Sequence, residues 1–334
     1  MRRVFALCLA LTLLSGCASR TPQAAERTFF AMDTVMSVRV YGDEALLDAA
    51  EDRVRELEAL WSVTDPGSEI YALNRDGSAV LSGDAAGLLA GALDMCVRTG
   101  GALDITIYPV VRLWGFTTGE YTVPDSGAIE ELLTRVDHTR VELDETTWTA
   151  SLPDGMEVDL GSVAKGDTGD TLAGLLKSRG VESALLDLGG NIQTIGARPD
   201  GTPWRVGVRD PEDGTGHIGV VSVSGKAVVT SGGYERYFEQ DGVRYWHILD
   251  PKTGAPARSG LQSVTVIGES GLLCDALSTA LFVMGLDGAL EHWREYRDFE
   301  AVFVCDDGSV TVTAGLEDSF TLSQTDRVLT VARP

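Results

Sequence analysis

The chain is predicted to fold as an α+β domain with mixed and antiparallel sheets flanked by helices. Three observations predict it. Helical periodicities and antiparallel hairpin signals are intermixed without sustained strand–helix–strand alternation. No G-x-G-x-x-G opens a helix after the first strand, which argues against a doubly wound dinucleotide fold. At 334 residues and 44% hydrophobic content, the chain can bury a substantial core, as one large domain or two intimately packed halves.

The first residues read as targeting rather than fold. Arg2-Arg3 precedes an apolar run over 4–14 that is too short to span a bilayer, so residues 1–16 are expected to be a signal peptide. The stretch Leu14-Ser15-Gly16-Cys17 resembles the lipobox of bacterial lipoproteins, in which the cysteine is lipidated. Cys17 is therefore the expected lipidation site, anchoring the protein to the outer face of the cell membrane. A polar tether over 17–26 and a single domain over 27–334 follow. Cys96, Cys274 and Cys305 remain, an odd number without metal-ligand spacing, so no disulfide framework is expected. The net charge of −23, with no Lys/Arg run beyond Arg2-Arg3, excludes nucleic acid as a partner. An anionic small ligand would need a metal ion or a few placed cations.

Taken in order, residues 27–41 (RTFFAMDTVMSVRVY) are rich in β-formers and read as one strand. Leu46, Ala49, Ala50, Val54, Leu57 and Leu60 recur at helical spacing, so a helix is expected from Asp43 to about Trp61. A loop with a Pro-Gly turn follows, and Ser68 reads as the cap of a short helix. A second long helix is expected over 84–99. Residues 101–116 (GALDITIYPVVRLWGF) read as a strand carrying a lone carboxylate, Asp104, which needs either a ligand or backbone amides as partner. A short helix over 124–136 and a hairpin pair over 140–158 come next.

Residues 158–170 (VDLGSVAKGDTGD) form the focal stretch: an extended segment to Gly161, then a helix over 163–179. Asp159, the small Gly161 and Ser162, and Lys165 fall beside the start of that helix, whose free N–H groups favour anions. The junction reads equally as a phosphate site or as a capped strand-to-helix turn. LLDLGGN over 185–191 is a buried strand and turn. Strands are expected over 204–209, 217–223 and 227–230, with the run broken at Ser231-Gly232-Gly233. A hairpin over 234–249, turning at Gln240-Asp241-Gly242, delivers His247 in an aromatic-flanked strand. A lone strand histidine is usually structural, although its place beside the Asp250-Pro251 turn favours function. A strand over 262–268 precedes a helix opening near Leu273, on which Asp275, Ser278 and Thr279 stand at i, i+3 and i+4. A carboxylate with two hydroxyls is a hard-oxygen set suited to Mg²⁺, or alternatively a cap with hydroxyls bonded back to the helix. Residues 299–331 complete a sheet.

AMDTVMSVRV, DPGSEIYALN, GALDITIYPVVRLWGF, VDLGSVAKG, LLDLGGN, TSGGYERYF, HILDPKTGAP and CDALSTALFVMG occur in the order and approximate spacing of the ApbE-type FAD:protein FMN transferases. The resemblance covers about residues 29–285. It implies a fold related to the T-fold with an FAD cleft between two packed parts. It further implies an Mg²⁺-dependent enzyme that moves FMN from FAD to a Ser/Thr hydroxyl of an acceptor protein, releasing AMP. By motif, Met32, Thr64, Ala102, Leu103, Asp104, Asp159, Lys165 and Leu249 fall at the FAD site. Ser162, through its carbonyl oxygen, joins Asp275, Ser278 and Thr279 around the metal, and His247 or Asp275 serves as base. The implied acceptors are membrane redox subunits. Thr64 replaces an aromatic residue that stacks on the flavin in many members, Ser278 replaces a second carboxylate found in some, and AMDT replaces the commoner MGT. FAD hydrolysis to FMN and AMP, and FAD binding without catalysis, are the alternative readings.

Overall fold

A computed structural model describes residues 23–324 and 327–334. The signal segment and Cys17 lie outside the described residues. Strands β1 (Ala24–Ala31) and β2 (Thr34–Tyr41) lead into helices α1 (Ala45–Trp61) and α2 (Glu69–Asp76). Strand β3 (Ser78–Val80), helices α3 (Gly83–Arg98), α4 (Tyr108–Leu113) and α5 (Ser126–Leu133), and strands β4 (Glu142–Asp144) and β5 (Thr149–Ser151) follow. Helix α6 (Ala164–Ser178) precedes β6 (Ala184–Leu188), β7 (Asn191–Ile195), β8 (Trp204–Arg209), β9 (His217–Val223) and β10 (Ala227–Gly232). The chain continues with β11 (Tyr237–Gln240), β12 (Val243–Trp246), β13 (Leu261–Gly268) and α7 (Gly271–Tyr296). It closes with β14 (Glu300–Cys305), β15 (Val310–Thr313), β16 (Phe320–Leu322) and β17 (Leu329–Ala332).

The frame is a nine-stranded sheet in the order β1-β2-β6-β7-β10-β13-β14-β15-β17, antiparallel except where β15 meets β17. Helices α1 and α6 cover one face at the β1–β2–β6 end, burying Val54, Leu172 and Leu176 against Met36, Val38 and Leu186. Helix α7 and the 81–163 region cover the same sheet farther along, around Val229, Val264 and Phe303. A small sheet ordered β16-β9-β8 closes the opposite face over β13 to β15. Strand β13 is therefore buried on both faces, which explains its nearly continuous burial in place of alternation, with the polar Ser263 and Thr265 among the buried residues. Helix α7 is long and apolar enough to cross a membrane by length and composition, but it packs here as a core helix against β10 and β13.

Several expectations are corrected. Residues 27–41 form a hairpin, not one strand, because Met32 and Asp33 both take positive φ (49° and 59°) in a two-residue turn. Strand β1 also takes in Ala24–Glu26, which were expected in the tether. Residues 101–116 are not a strand: Asp104 caps a 3₁₀ turn over Ile105–Ile107, and Pro109 sits in the first turn of α4, where a missing N–H is harmless. Strand β10 runs through Ser231 and Gly232 instead of breaking there. The expected 140–158 hairpin contributes only the three-residue strands β4 and β5, and β5 also pairs with β3.

Candidate active site

The site depends on how closely α6 and α7 approach each other. A Cβ added at Gly166 would meet the Gly271 carbonyl oxygen at 2.2 Å and the Asp275 Cβ at 2.7 Å, so only glycine permits this crossing. Gly166 N–H donates to Asp275 Oδ2 at 2.8 Å. One turn farther along α6, Asp170 caps α7: it accepts from Ser270 Oγ (2.8 Å), Gly271 N–H (2.7 Å) and Leu272 N–H (3.1 Å). A carboxylate there satisfies free amides and complements the positive end of the helix. The turn carrying Ser162 and Lys165 is thereby fixed beside Asp275 and Thr279.

These residues line a cleft of about 680 Å³. Its remaining walls include Met32, Thr64, Ala102, Leu103, Asp104, Asp159, His247 and Leu249, so residues 247 positions apart in sequence converge on it with Ser162, Lys165, Asp275 and Thr279. Met32 N–H donates to Glu58 Oε1 at 2.6 Å, which ties the hairpin turn to α1. Asp159 accepts from Gly161 N–H at 2.9 Å, and its own N–H reaches the Ile105 carbonyl at 2.9 Å.

Ser278 does not share the cleft wall. It is fully buried, with its hydroxyl donating to the Asp275 carbonyl at 2.8 Å and paired with Ser231 Oγ at 2.7 Å. Asp104 has its partners within the protein. Oδ1 accepts from Thr106 N–H and Oγ1 (2.9 and 2.6 Å), and Oδ2 meets His138 N–H and Nδ1 (3.2 and 2.8 Å). These bonds hold Asp104 in the cleft wall, and Cys96 lies close to the same Asp104–His138 pair.

Electrostatically, the cleft gathers carboxylates around Lys165. Burial raises the pKa of Asp275 despite Lys165, the nearby Asn191 amide and the Gly166 N–H, all of which favour its charge. Burial likewise raises Asp159, opposed by Gly161 N–H, Lys165 and Arg236. At His247, burial dominates and draws the pKa down to about 4, so the imidazole is neutral at neutral pH. Nδ1 stands 3.2 Å from the Arg236 carbonyl, which only accepts. Nδ1 therefore carries the proton, leaving Nε2 as the accepting nitrogen.

Sequence reasoning missed Glu58, Asn191, Glu235 and Arg236 as cleft residues. Asn191 ends LLDLGGN, and Glu235-Arg236 lie within TSGGYERYF, so the motifs contained them without marking them. Asn191 is buried, and among the described residues its Nδ2 makes no well-formed hydrogen bond; it acts on Asp275 as a nearby amide donor at the cleft. Arg236 donates to the Phe116 carbonyl, pinning the β11 approach to the segment after α4.

The model of the ApbE family matches residues 32–303. A FAD:protein FMN transferase of Treponema pallidum is 37% identical over 317 residues, covering 87% of each chain. One from Klebsiella pneumoniae is 36% identical over 279 residues, covering 82% of this chain and 86% of its own. Among solved structures, the ApbE protein of Thermotoga maritima superposes with a TM-score of 0.81 at 32% identity, covering 86% of this chain and 96% of its own. The apo flavinyl transferase ApbE of Pseudomonas stutzeri does so with a TM-score of 0.80 at 28% identity, covering 89% and 96%.

Proposed function

The chain belongs to the ApbE family, and on that premise we propose that it is an FAD:protein FMN transferase that works with Mg²⁺ and modifies a Ser/Thr hydroxyl of an acceptor protein. The observation that carries the proposal is the single cleft in which the Ser162–Lys165 turn meets the Asp275–Thr279 helix face through the Gly166–Asp275 hydrogen bond.

The donor set fits a hard divalent cation. Asp275 is the buried carboxylate, Thr279 adds a hydroxyl from the next turn, and Ser162 adds an oxygen from the facing segment. Mg²⁺ held there would neutralise charge on the FAD diphosphate. Lys165 supplies a second, fixed positive charge on the same side. The walls from Met32, Ala102–Leu103 and Leu249 are apolar and suit the rings of a dinucleotide. Neutral His247 takes the proton of the acceptor hydroxyl at Nε2. The hydroxyl oxygen bonds to the phosphorus on the FMN side, the phosphoanhydride bond breaks, and AMP departs. Asp275 serves less well as base because its Oδ2 is already engaged by Gly166.

Cys17 would anchor the protein by lipid on the outer side of the cell membrane, where the acceptors would be membrane redox subunits. A Cys17→Ser variant recovered in the membrane fraction as fully as wild type would end that part of the proposal. The central test is incubation with FAD, Mg²⁺ and an acceptor protein, read by intact mass for covalently attached FMN and by AMP release. Free FMN formed equally with and without acceptor would instead identify a hydrolase.

A further inference from the structure

The outer face of the β1–β2 hairpin changes character along its length. Far from the cleft it is polar: Glu26 pairs with Arg39 at 2.7 Å and accepts from Ser37 at 3.2 Å. At the turn end it is apolar. Phe30 and Val35 stand directly opposite each other in register, and each is 60% exposed. Cross-strand partners share a face, so these two form one patch. Helices α1 and α6 pack on the other face of this part of the sheet, where they bury Phe29, Ala31 and Met36.

The patch is continuous with the active site. Phe30, Met32 and Asp33 line the cleft, so β1 is aimed at it and ends in its wall. Among the described residues β1 pairs only with β2, making it one of the two edges of the nine-stranded sheet, opposite β17. A free edge with exposed apolar side chains is a template for an added strand.

We propose that this face docks the acceptor protein: an extended Ser/Thr-bearing segment lies along β1 and packs a large apolar side chain on Phe30, reaching over it to Val35, which sets its hydroxyl at the cleft. The proposal rests on the flavin-transfer reading, since only a protein substrate needs such a surface. Water, the substrate of a hydrolase, does not.

Val35 tests the idea because it does not line the cleft. The assay uses the acceptor protein that the Klebsiella pneumoniae relative flavinylates, with saturating FAD and Mg²⁺. Val35→Asp is expected to lower kcat/KM for the acceptor by about tenfold or more, the size of effect seen when a central interface anchor is lost. FAD affinity, read by flavin fluorescence, should stay within about twofold, and Val35→Leu should retain near-wild-type transfer. Val35→Asp with wild-type kcat/KM for the acceptor would overturn the docking face alone. An equal loss in FAD affinity would also overturn it, by pointing to a folding effect. If wild type attaches no FMN to an acceptor that the Klebsiella enzyme modifies, the underlying transferase reading fails for that acceptor, and the docking face with it.

Discussion

Replacing Gly166 by alanine tests whether the α6–α7 crossing builds the site. The new Cβ would lie 2.2 Å from the Gly271 carbonyl oxygen, against an ordinary contact of 3.4 Å or more, so the helices must separate by about 1.2 Å there. The 2.8 Å bond from Gly166 N–H to Asp275 Oδ2 would stretch to about 4 Å and be lost. Overpacking a close contact costs about 1–3 kcal/mol. Losing a hydrogen bond to a buried carboxylate costs about 1.5–3 kcal/mol more. Alanine is better than glycine inside a helix by only about 1 kcal/mol, so the clash wins. Net destabilisation should be about 2–5 kcal/mol, a fall in Tm on the order of 5–10 °C. Thermal unfolding followed by circular dichroism measures the first effect. Mg²⁺ titration of FMN transfer measures the second, a raised half-saturation as Asp275 moves from the Ser162 turn. Unchanged Tm with an unchanged Mg²⁺ requirement would refute the reasoning.

Other substitutions separate the parts of the site. Asp275→Asn should keep the fold while lowering Mg²⁺-dependent transfer by ~10²–10³-fold, the contribution of one electrostatic stabiliser, and wild-type turnover at limiting Mg²⁺ would refute the metal assignment. His247→Ala should leave FAD affinity intact but slow single-turnover transfer by ~10²–10⁴-fold, and an unchanged rate would remove it as base. Because burial lowers the His247 pKa from 6.5 to about 4, the neutral base persists as pH falls through 6.5 and is protonated only near 4. The acid limb of kcat/KM should therefore lie near pH 4, and a limb at 6.5 would contradict that assignment. Asp170→Ala removes three acceptor contacts at the start of α7 and should destabilise by about 1–2 kcal/mol, measured by urea denaturation.

What was legible in the sequence was local. Helix α1 announced itself by periodicity, and the β11–β12 hairpin by its Asp241-Gly242 turn. The Met32-Asp33 turn is hidden because Met32 is not a usual turn former and Asp33 lacks the glycine that follows it in the common hairpin turn. Its conformation is supported from outside by Glu58, a contact 26 residues away. In 101–116, β-branched and aromatic residues outvoted two true helix signals: an aspartate two residues before an amide it caps, and a proline in a first turn. The apolar surroundings of Asp104 in the sequence call for a partner, but His138 stands 34 positions on, and no local pattern reveals that. Helical spacing puts Asp275, Ser278 and Thr279 on one face without resolving which side of Asp275 each hydroxyl takes. At 100° per residue, Ser278 falls about 60° to one side of Asp275 and Thr279 about 40° to the other. Both hydroxyls come within reach of Ser231 Oγ, at 2.7 Å from Ser278 and 3.3 Å from Thr279, but Ser278 is buried while Thr279 lines the cleft.

The charge at the cleft connects this geometry to the proposed chemistry. Asp33, Glu58, Asp104, Asp159, Glu235 and Asp275 line it, against Lys165 and Arg236, in a chain whose net charge is −23. Arg236 is partly committed to the Phe116 carbonyl, and Lys165 is shared electrostatically among Asp159, Glu235 and Asp275. A diphosphate brought into that field meets repulsion that two cations do not offset. A divalent ion held by Asp275 would reverse the balance locally, because it would turn the buried carboxylate from a repelling charge into a ligand. With Asp275 as the one carboxylate of the proposed donor set, less of the ion's charge would be neutralised by the protein and more would remain for the diphosphate. The metal and the dinucleotide should therefore bind synergistically. Each should tighten the other's affinity by the same factor, as thermodynamic linkage requires, and titrations of FAD with and without Mg²⁺, and of Mg²⁺ with and without FAD, measure that factor from both sides.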